Sequence, residues 1–318
     1  GLPVLLPTFS EAQADLFNLA SDEQLAYISP LERWMREEAI VSIDVIASTN
    51  TRALSAVDPS RQSVWSRART ELRKTAFARA ARGERRWSST IFPTPAHAQD
   101  AEMATDEFAA FLQAACMLDR PDPIAAWREL SARQARMVGW LQERNEIHIT
   151  APGTDLRLSV AGRSWVNSDG KRNFPSGEVF TGPVEDSVEG HIFFTYPVVT
   201  QGREISGIRL RFEAGLVVDA SADKNETFLV ETLDTDPGAR RLGEFAFGTN
   251  DGITRWTKNI LLDEKMGGTV HMALGLGYPE TGSRNSSAIH WDMICDLRQG
   301  GEATADGEVV LKDGEYQI

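Results

Sequence analysis

The chain has 318 residues, 42% hydrophobic and 25% charged, ordinary figures for a folded protein and enough for one large core or two moderate ones. A formal charge of -13 argues against a general nucleic-acid binder or a binder of anionic membranes, since both need a basic footprint. Two cysteines, Cys116 and Cys295, are too few for a disulfide framework and fit a reducing, cytoplasmic setting.

The opening Gly-Leu-Pro-Val-Leu-Leu-Pro lacks the basic segment, apolar core and cleavage site of a signal peptide, and no apolar run has membrane-spanning length. Ser10 to Tyr27 reads as helical, Pro30 as a stop, and Leu31 to Glu38 as a second helix. Ala39 to Ile46 has the β-branched density of a buried strand. Asp58-Pro59 opens an arginine-rich helical segment to about Arg82, and Trp87 to Phe92 reads as another strand. Strand, helix, strand in that order predicts a parallel α/β unit. The arginines between Arg61 and Arg86 outnumber the acids there; they read as a solvated helical face, with an anion site as the alternative.

Thr105 to Leu118 and Ile124 to Gln142 read as helices separated by Arg-Pro-Asp-Pro, and this turn sets the expected boundary between residues 1–120 and 121–318. After Glu146 the texture changes to short alternating runs broken by Gly, Asn and Asp. Ile147 to Thr150, Leu156 to Val160, Gly190 to Pro197, Ile205 to Phe212 and Leu216 to Ala220 read as mostly antiparallel strands. The expected fold class is α/β, α+β overall: an amino-terminal parallel α/β unit, shortened, and a carboxy-terminal, mostly antiparallel β-rich domain with helices.

The stretch Leu261 to Asp292 gathers two of the five histidines with a tyrosine and several acids. In a strand, residues two apart share a face, so His290 and Asp292 project side by side, backed by Trp291 and Met293. An imidazole beside a carboxylate suits Zn, Co, Mn or Fe(II). His271, in the apolar run Thr269 to Leu274, is a candidate third ligand, whereas His97, His148 and His191 have no such company. Tyr278 falls on the opposite strand parity from His271, and only a bend at Gly275 or Gly277 brings it to the same place. Glu178 and Glu244 sit in apolar settings, each preceded by a glycine that allows close backbone approach to a ligand or a strand. Each taken alone reads first as an edge-of-strand solvent acid and only second as a site residue. The chain has no His-Glu-x-x-His, no paired Cys-x-x-Cys, no Gly-Lys-Ser/Thr phosphate loop and no Gly-x-Ser-x-Gly elbow, which removes the commonest zinc proteases, zinc fingers, nucleotide hydrolases and serine hydrolases.

Taken with the opening stretch, Ser21-Asp22-Glu23-Gln24-Leu25, Asn50-Thr51-Arg52, Phe92-Pro93-Thr94-Pro95-Ala96, the Gly-Glu-Val-Phe-Thr around Glu178 and the Gly-Glu-Phe-Ala-Phe-Gly-Thr-Asn around Glu244 resemble the aminopeptidase T family of thermophilic-type metallopeptidases over essentially the whole chain. That resemblance implies a leucyl-aminopeptidase-like exopeptidase with two divalent ions (Zn, Co or Mn), acting as a homodimer on peptides with a free amino terminus through a metal-activated water. It places the metal ligands at Glu178, Glu244, His271, His290 and Asp292 and the catalytic tyrosine at Tyr278; on that set our own expectation is Asp292 as the bridging carboxylate and Tyr278 as the oxyanion donor. Glu264 is the candidate to orient a ligand histidine, or else a plain surface acid. Against the family pattern, the interval from Tyr278 to His290 is short and the amino-terminal unit starts late, as if an opening strand and helix were absent.

Three carboxylates and two imidazoles converging without cations repel one another, two divalent ions more than balance them, and five ligands exceed one tetrahedral zinc. A related alternative is a dihydroxypyridine-type ring-cleaving dioxygenase with one Fe(II) on His271, His290 and Asp292, against which the retention of Glu178 and Glu244 weighs. Another is a metal-binding homologue without activity.

Overall fold

The computed structural model describes residues 4–200 and 202–318; Gly1, Leu2 and Pro3, with which the opening stretch begins, lie outside them. By contact the chain divides into two compact units, Gly1–Thr105 with Thr200–Arg203, and Asp106–Val199 with Glu204–Ile318. Among the described residues no helix is long and apolar enough to cross a membrane.

The first unit runs α1 (Ser10–Leu19), α2 (Asp22–Ala26), α3 (Pro30–Glu37), β1 (Val41–Ile46), α4 (Pro59–Ala68), α5 (Thr70–Ala81), β2 (Arg86–Ile91) and α6 (Pro95–Asp100). β1 and β2 pair in parallel, Val41 with Arg86 through Ile46 with Ile91, as the strand-helix-strand order predicts. The single helix expected from Ser10 to Tyr27 is two, because Ser21 and Gln24 form a reciprocal capping box that starts α2. Proline opens rather than closes helices here. Ser29, Asp58 and Thr94 each precede a first-turn proline and accept a backbone N–H from Glu32, Ser60 and His97 at 3.1, 2.8 and 3.3 Å.

The arginine-rich segment divides at Arg69; Arg67, Arg82 and Arg86 face solvent, as expected, but three other arginines do not. Arg61 donates to Phe17 O and Ala20 O, Arg69 to Leu25 O and Tyr27 O at 3.0 and 2.9 Å, and Arg79 to Arg36 O and Ala39 O at 3.1 and 3.2 Å. Each guanidinium thus satisfies the orphan carbonyls at the end of α1, α2 or α3, where the helix dipole also favours a cation. β1 also differs from expectation: Val41, Ile43 and Val45 share one face and are exposed, so the β-branched run marks a strand without marking a buried one.

In the second unit α7 (Thr105–Ala115) and α8 (Pro123–Leu141) precede the strands. The contact division falls fifteen residues before the expected 120/121 because α7 is tied to later chain: Asn250 Nδ2 donates to Ala115 O at 2.9 Å, and a Cβ on Gly252 would meet Ala114 O at 2.5 Å. The strands are β3 (Glu146–Ala151), β4 (Thr154–Ser159), β5 (Val166–Ser168), β6 (Asn173–Phe174), β7 (Glu178–Thr181), β8 (Glu189–Phe193), β9 (Val198–Thr200), β10 (Arg203–Ile205), β11 (Arg209–Glu213) and β12 (Leu216–Ser221). After α9 (Glu226–Leu233) come β13 (Leu242–Gly248), α10 (Ile260–Asp263), β14 (Thr269–Gly275), β15 (His290–Asp296), β16 (Glu302–Ala305), β17 (Glu308–Lys312) and β18 (Glu315–Tyr316).

An eight-stranded sheet has the order β12-β11-β8-β4-β3-β16-β17-β18, and a five-stranded sheet the order β15-β14-β13-β7-β5. Each pairing recorded within them is antiparallel. Strict alternation in β3, β4 and β11 sends Ile147, Ile149, Leu156, Leu158, Leu210 and Phe212 inward, while Asp155, Arg157, Arg209 and Arg211 face out. The inward set shares one core with Val179, Phe245, Phe247, Met272, Leu274 and Met293 of the smaller sheet, so two sheets pack face to face. Met137 and Leu141 of α8 join that core.

Candidate metal centre

The five expected metal ligands meet on the five-stranded sheet, and register places them there. Ala246 pairs with both Phe180 and His271, Ala273 with both Glu244 and Asp292, Gly275 with His290, and Gly248 with Glu178. Directly paired residues point to one face of an antiparallel sheet. Glu178, Glu244, His271, His290 and Asp292 therefore share a face, and Ala246, Gly248, Ala273 and Gly275 between them leave it open. Val179, Phe245, Met272, Trp291 and Met293 occupy the opposite face, in the core. The side-by-side projection of His290 and Asp292 read from strand parity is the arrangement found.

His271 Nε2 lies 3.4 Å from Glu178 Oε2 and 3.7 Å from Glu244 Oε1. His290 Nε2 lies 3.2 Å from Glu244 Oε2 and 3.5 Å from Asp292 Oδ1. Three overlapping groups, Glu178/Glu244/His271, Glu244/His290/Asp292 and Glu264/His271/Asp292, each bring one donor atom per residue within 4.8 Å of one another. Glu244, with one oxygen toward each histidine, spans the two imidazoles, the place expected of Asp292; Asp292 joins two of the groups as well.

His290 Nδ1 sits 2.7 Å from Leu276 O. A carbonyl only accepts, so Nδ1 carries the proton and Nε2 is left facing the carboxylates. Gly275 ends β14 at φ 98°, the bend that Tyr278 requires. The Tyr278 ring then lies edge-on to His290 with centroids 5.1 Å apart, and 5.5 Å from Phe180.

The two glycines before the glutamates serve strand approach. A Cβ on Gly177, whose φ is 123°, would lie 2.7 Å from Asn250 Cβ, and one on Gly243 would lie 2.4 Å from Gly275 O. Glu178 is further fixed through its backbone, because the buried Gln134 of α8 donates its amide to Glu178 O and, at 3.2 Å, to Ser168 O. Asn250 Nδ2 holds Ser176 O at 2.7 Å.

Lys265 is the residue that sequence reasoning missed. It is fully buried, and its Nζ donates to Glu178 Oε1 at 3.1 Å and to Glu264 Oε1. In the run Asp263-Glu264-Lys265 it has the look of a surface charge, and the one available signal is that this run precedes a strand through two glycines.

The electrostatics follow from crowding four carboxylates. Burial opposes the charge on His271, but the bond to Glu244 and the charge on Glu178 outweigh it and raise the imidazole to about 9. His290 is likewise lifted well above the usual range, against burial, by Asp292 and Glu244. Burial opposes ionisation of Asp292, yet His290 and His271 hold it at about 2. Burial, with the charges of Asp292 and Glu178 adding to it and that of Lys265 opposing, pushes Glu264 up to about 7. Burial and the charges of Glu244 and Asp292 raise the Tyr278 phenol, so it stays a hydrogen-bond donor. The cluster thus demands cations, supplied here by Lys265 and by protons on the histidines. Carboxylate oxygens and imidazole nitrogens suit Zn, Co or Mn, and Asp292 Oδ1 is buried with no hydrogen bond among the described residues, so the donor set fits divalent ions.

Residues 5–316 match the family described as thermophilic metalloprotease (M29). The chain is 32% identical to aminopeptidase 2 of Geobacillus stearothermophilus over 307 residues, covering 86% of this chain and 73% of that one. It is 30% identical to aminopeptidase T of Thermus aquaticus over 253 residues, covering 72% of this chain and 60% of its relative. The structure of wild-type AmpT from Thermus thermophilus superposes with a TM-score of 0.83 at 25% identity, over 98% of this chain and 86% of that one. A 2,5-dihydroxypyridine dioxygenase from Pseudomonas putida superposes with a TM-score of 0.55 at 15% identity, over 93% of this chain and 98% of that one, a likeness of fold alone.

Proposed function

This chain belongs to the thermophilic metalloprotease (M29) family, and from that premise we propose that it is a metal-dependent aminopeptidase removing amino-terminal residues from peptides. The observation that carries the proposal is the sharing of one sheet face by Glu178, Glu244, His271, His290 and Asp292 in overlapping donor groups. Relatives named as aminopeptidases, spanning most of this chain, support the choice of peptide substrates. We assign two divalent ions, Zn, Co or Mn, to those five residues; bound there they would polarise the scissile carbonyl and acidify a water for attack near neutral pH.

The protein's own groups do the rest. Glu244 offers one oxygen to the side of each histidine, and Leu276 O holds His290 in the tautomer that presents Nε2. Tyr278, kept protonated, donates to the oxygen that gains negative charge as the carbonyl becomes tetrahedral. Glu264 stands beside His271 and Asp292, tied back by Lys265. The homodimer belongs to this proposal on the family resemblance; a reducing, cytoplasmic setting belongs to it on the two free buried thiols.

A mononuclear iron dioxygenase on His271, His290 and Asp292 leaves Glu178 and Glu244 without a role, although both stand within 4 Å of these histidines. The test is hydrolysis of leucyl-p-nitroanilide by the chelated protein after Zn(II), Co(II) or Mn(II) is restored. Activity lost with chelator and regained with metal is expected; bound metal without turnover would overturn the proposal in favour of an inactive homologue.

A further inference from the structure

Lys265 has no exposed side-chain surface, and an ammonium is costly to take out of water unless it is well paired. Its pairing is unusual in kind, because both partners belong to the carboxylate cluster on which the proposed function rests. Nζ takes Glu178 by Oε1, leaving Oε2 toward His271 Nε2 at 3.4 Å. It takes Glu264 by Oε1, and Glu264 also groups with His271 and Asp292.

The backbone fixes the lysine on both sides. Asn259 caps α10 by accepting Leu261 N–H at 3.1 Å, Lys265 N–H donates to Leu262 O at 3.0 Å, and Lys265 O accepts Asn250 N–H at 3.0 Å. The ammonium is therefore delivered to one place by α10 and the turn after it. Glu178, Glu244, Glu264 and Asp292 bring four carboxyl groups to the face that Lys265 borders.

We propose that Lys265 is the built-in counter-ion of the metal centre, a positioning residue that holds Glu178 and Glu264 in place before metal arrives and whose charge the bound ions largely replace. Its ammonium and the ions compete to neutralise the same carboxylates, so each weakens the need for the other. A lysine that merely fills core volume has no such coupling to metal.

The test uses the full chain with Lys265→Met, which keeps the volume and removes the charge, and with Lys265→Gln. Melting is followed by calorimetry in chelator and in saturating Zn(II). In chelator the variant should melt roughly 10 °C below wild type, as expected for one partner removed from a buried ion cluster. In saturating metal the deficit should shrink to less than half, so that metal raises the variant's Tm more than the wild type's. A variant that folds only with metal supports the proposal. An equal deficit in both conditions overturns it, and so does failure of both variants to fold even in saturating metal. A wild-type chain that neither binds metal nor gains Tm from it overturns the metal-centre reading and this inference together, whereas a wild-type gain with an equal deficit removes this inference alone.

Discussion

Gly243→Ala tests whether the approach of β13 to the end of β14 sets the centre. The added Cβ would lie 2.4 Å from Gly275 O and 2.5 Å from Leu276 O, about half an ångström inside the 3.0 Å that such contacts essentially never cross. Both obstacles are backbone, so no side chain can rotate away. Relief requires the two strands to part beside Glu244, where the register already shifts between Leu242 and Glu244. The same movement displaces Leu276 O, which orients His290. Overpacking of this kind costs about 1–3 kcal/mol, and rigid obstacles put it toward the upper end, roughly a 5–10 °C loss of Tm. Because Glu244 and the partner of His290 both move, metal affinity should fall by about tenfold or more. Calorimetry of the metal-free chain and a Zn(II) titration read the two effects separately. A Tm within about 1 °C of wild type and unchanged Zn(II) affinity would refute the reasoning.

Three further changes have defined outcomes. Gly139→Ala, in α8 where an added Cβ meets nothing within 4 Å, should raise stability by about 0.5–1 kcal/mol in denaturant unfolding, and a loss would show that the helix needs the glycine. Arg69→Met removes a paired guanidinium that holds Glu32 at 2.6 and 3.0 Å and caps α2; it should destabilise the first unit by about 3–5 kcal/mol, read as faster proteolysis within residues 4–105, and undiminished resistance would contradict the capping role. Tyr278→Phe should keep the metal content and cut turnover by about 10² or more, whereas near wild-type turnover would remove the oxyanion role.

What was legible in the sequence was what a single strand determines. Two-residue parity puts His290 and Asp292 together, and a bend at Gly275 or Gly277 is what Tyr278 needs to join them. Convergence was another matter. Glu178 and Glu244, each taken alone, read first as solvent acids, because the register that aligns β7, β13, β14 and β15 is a long-range property; only the family resemblance links them. Lys265 escapes because a charged residue in a charged run carries little local sign of burial. Arg61, Arg69 and Arg79 depart from the solvated face for a related reason: their targets are carbonyls around forty residues earlier, which no local periodicity reveals. β1 shows the converse, since β-branched density predicted the strand correctly while saying nothing about what covers it.

The most direct test of the account is the number of divalent ions bound per chain, counted by elemental analysis after the chelated protein is dialysed against Zn(II) or Co(II). Five converging donor residues around Glu244 predict two ions per chain, both lost in the Glu244→Ala variant. One ion per chain, retained when Glu244 is removed, would contradict it.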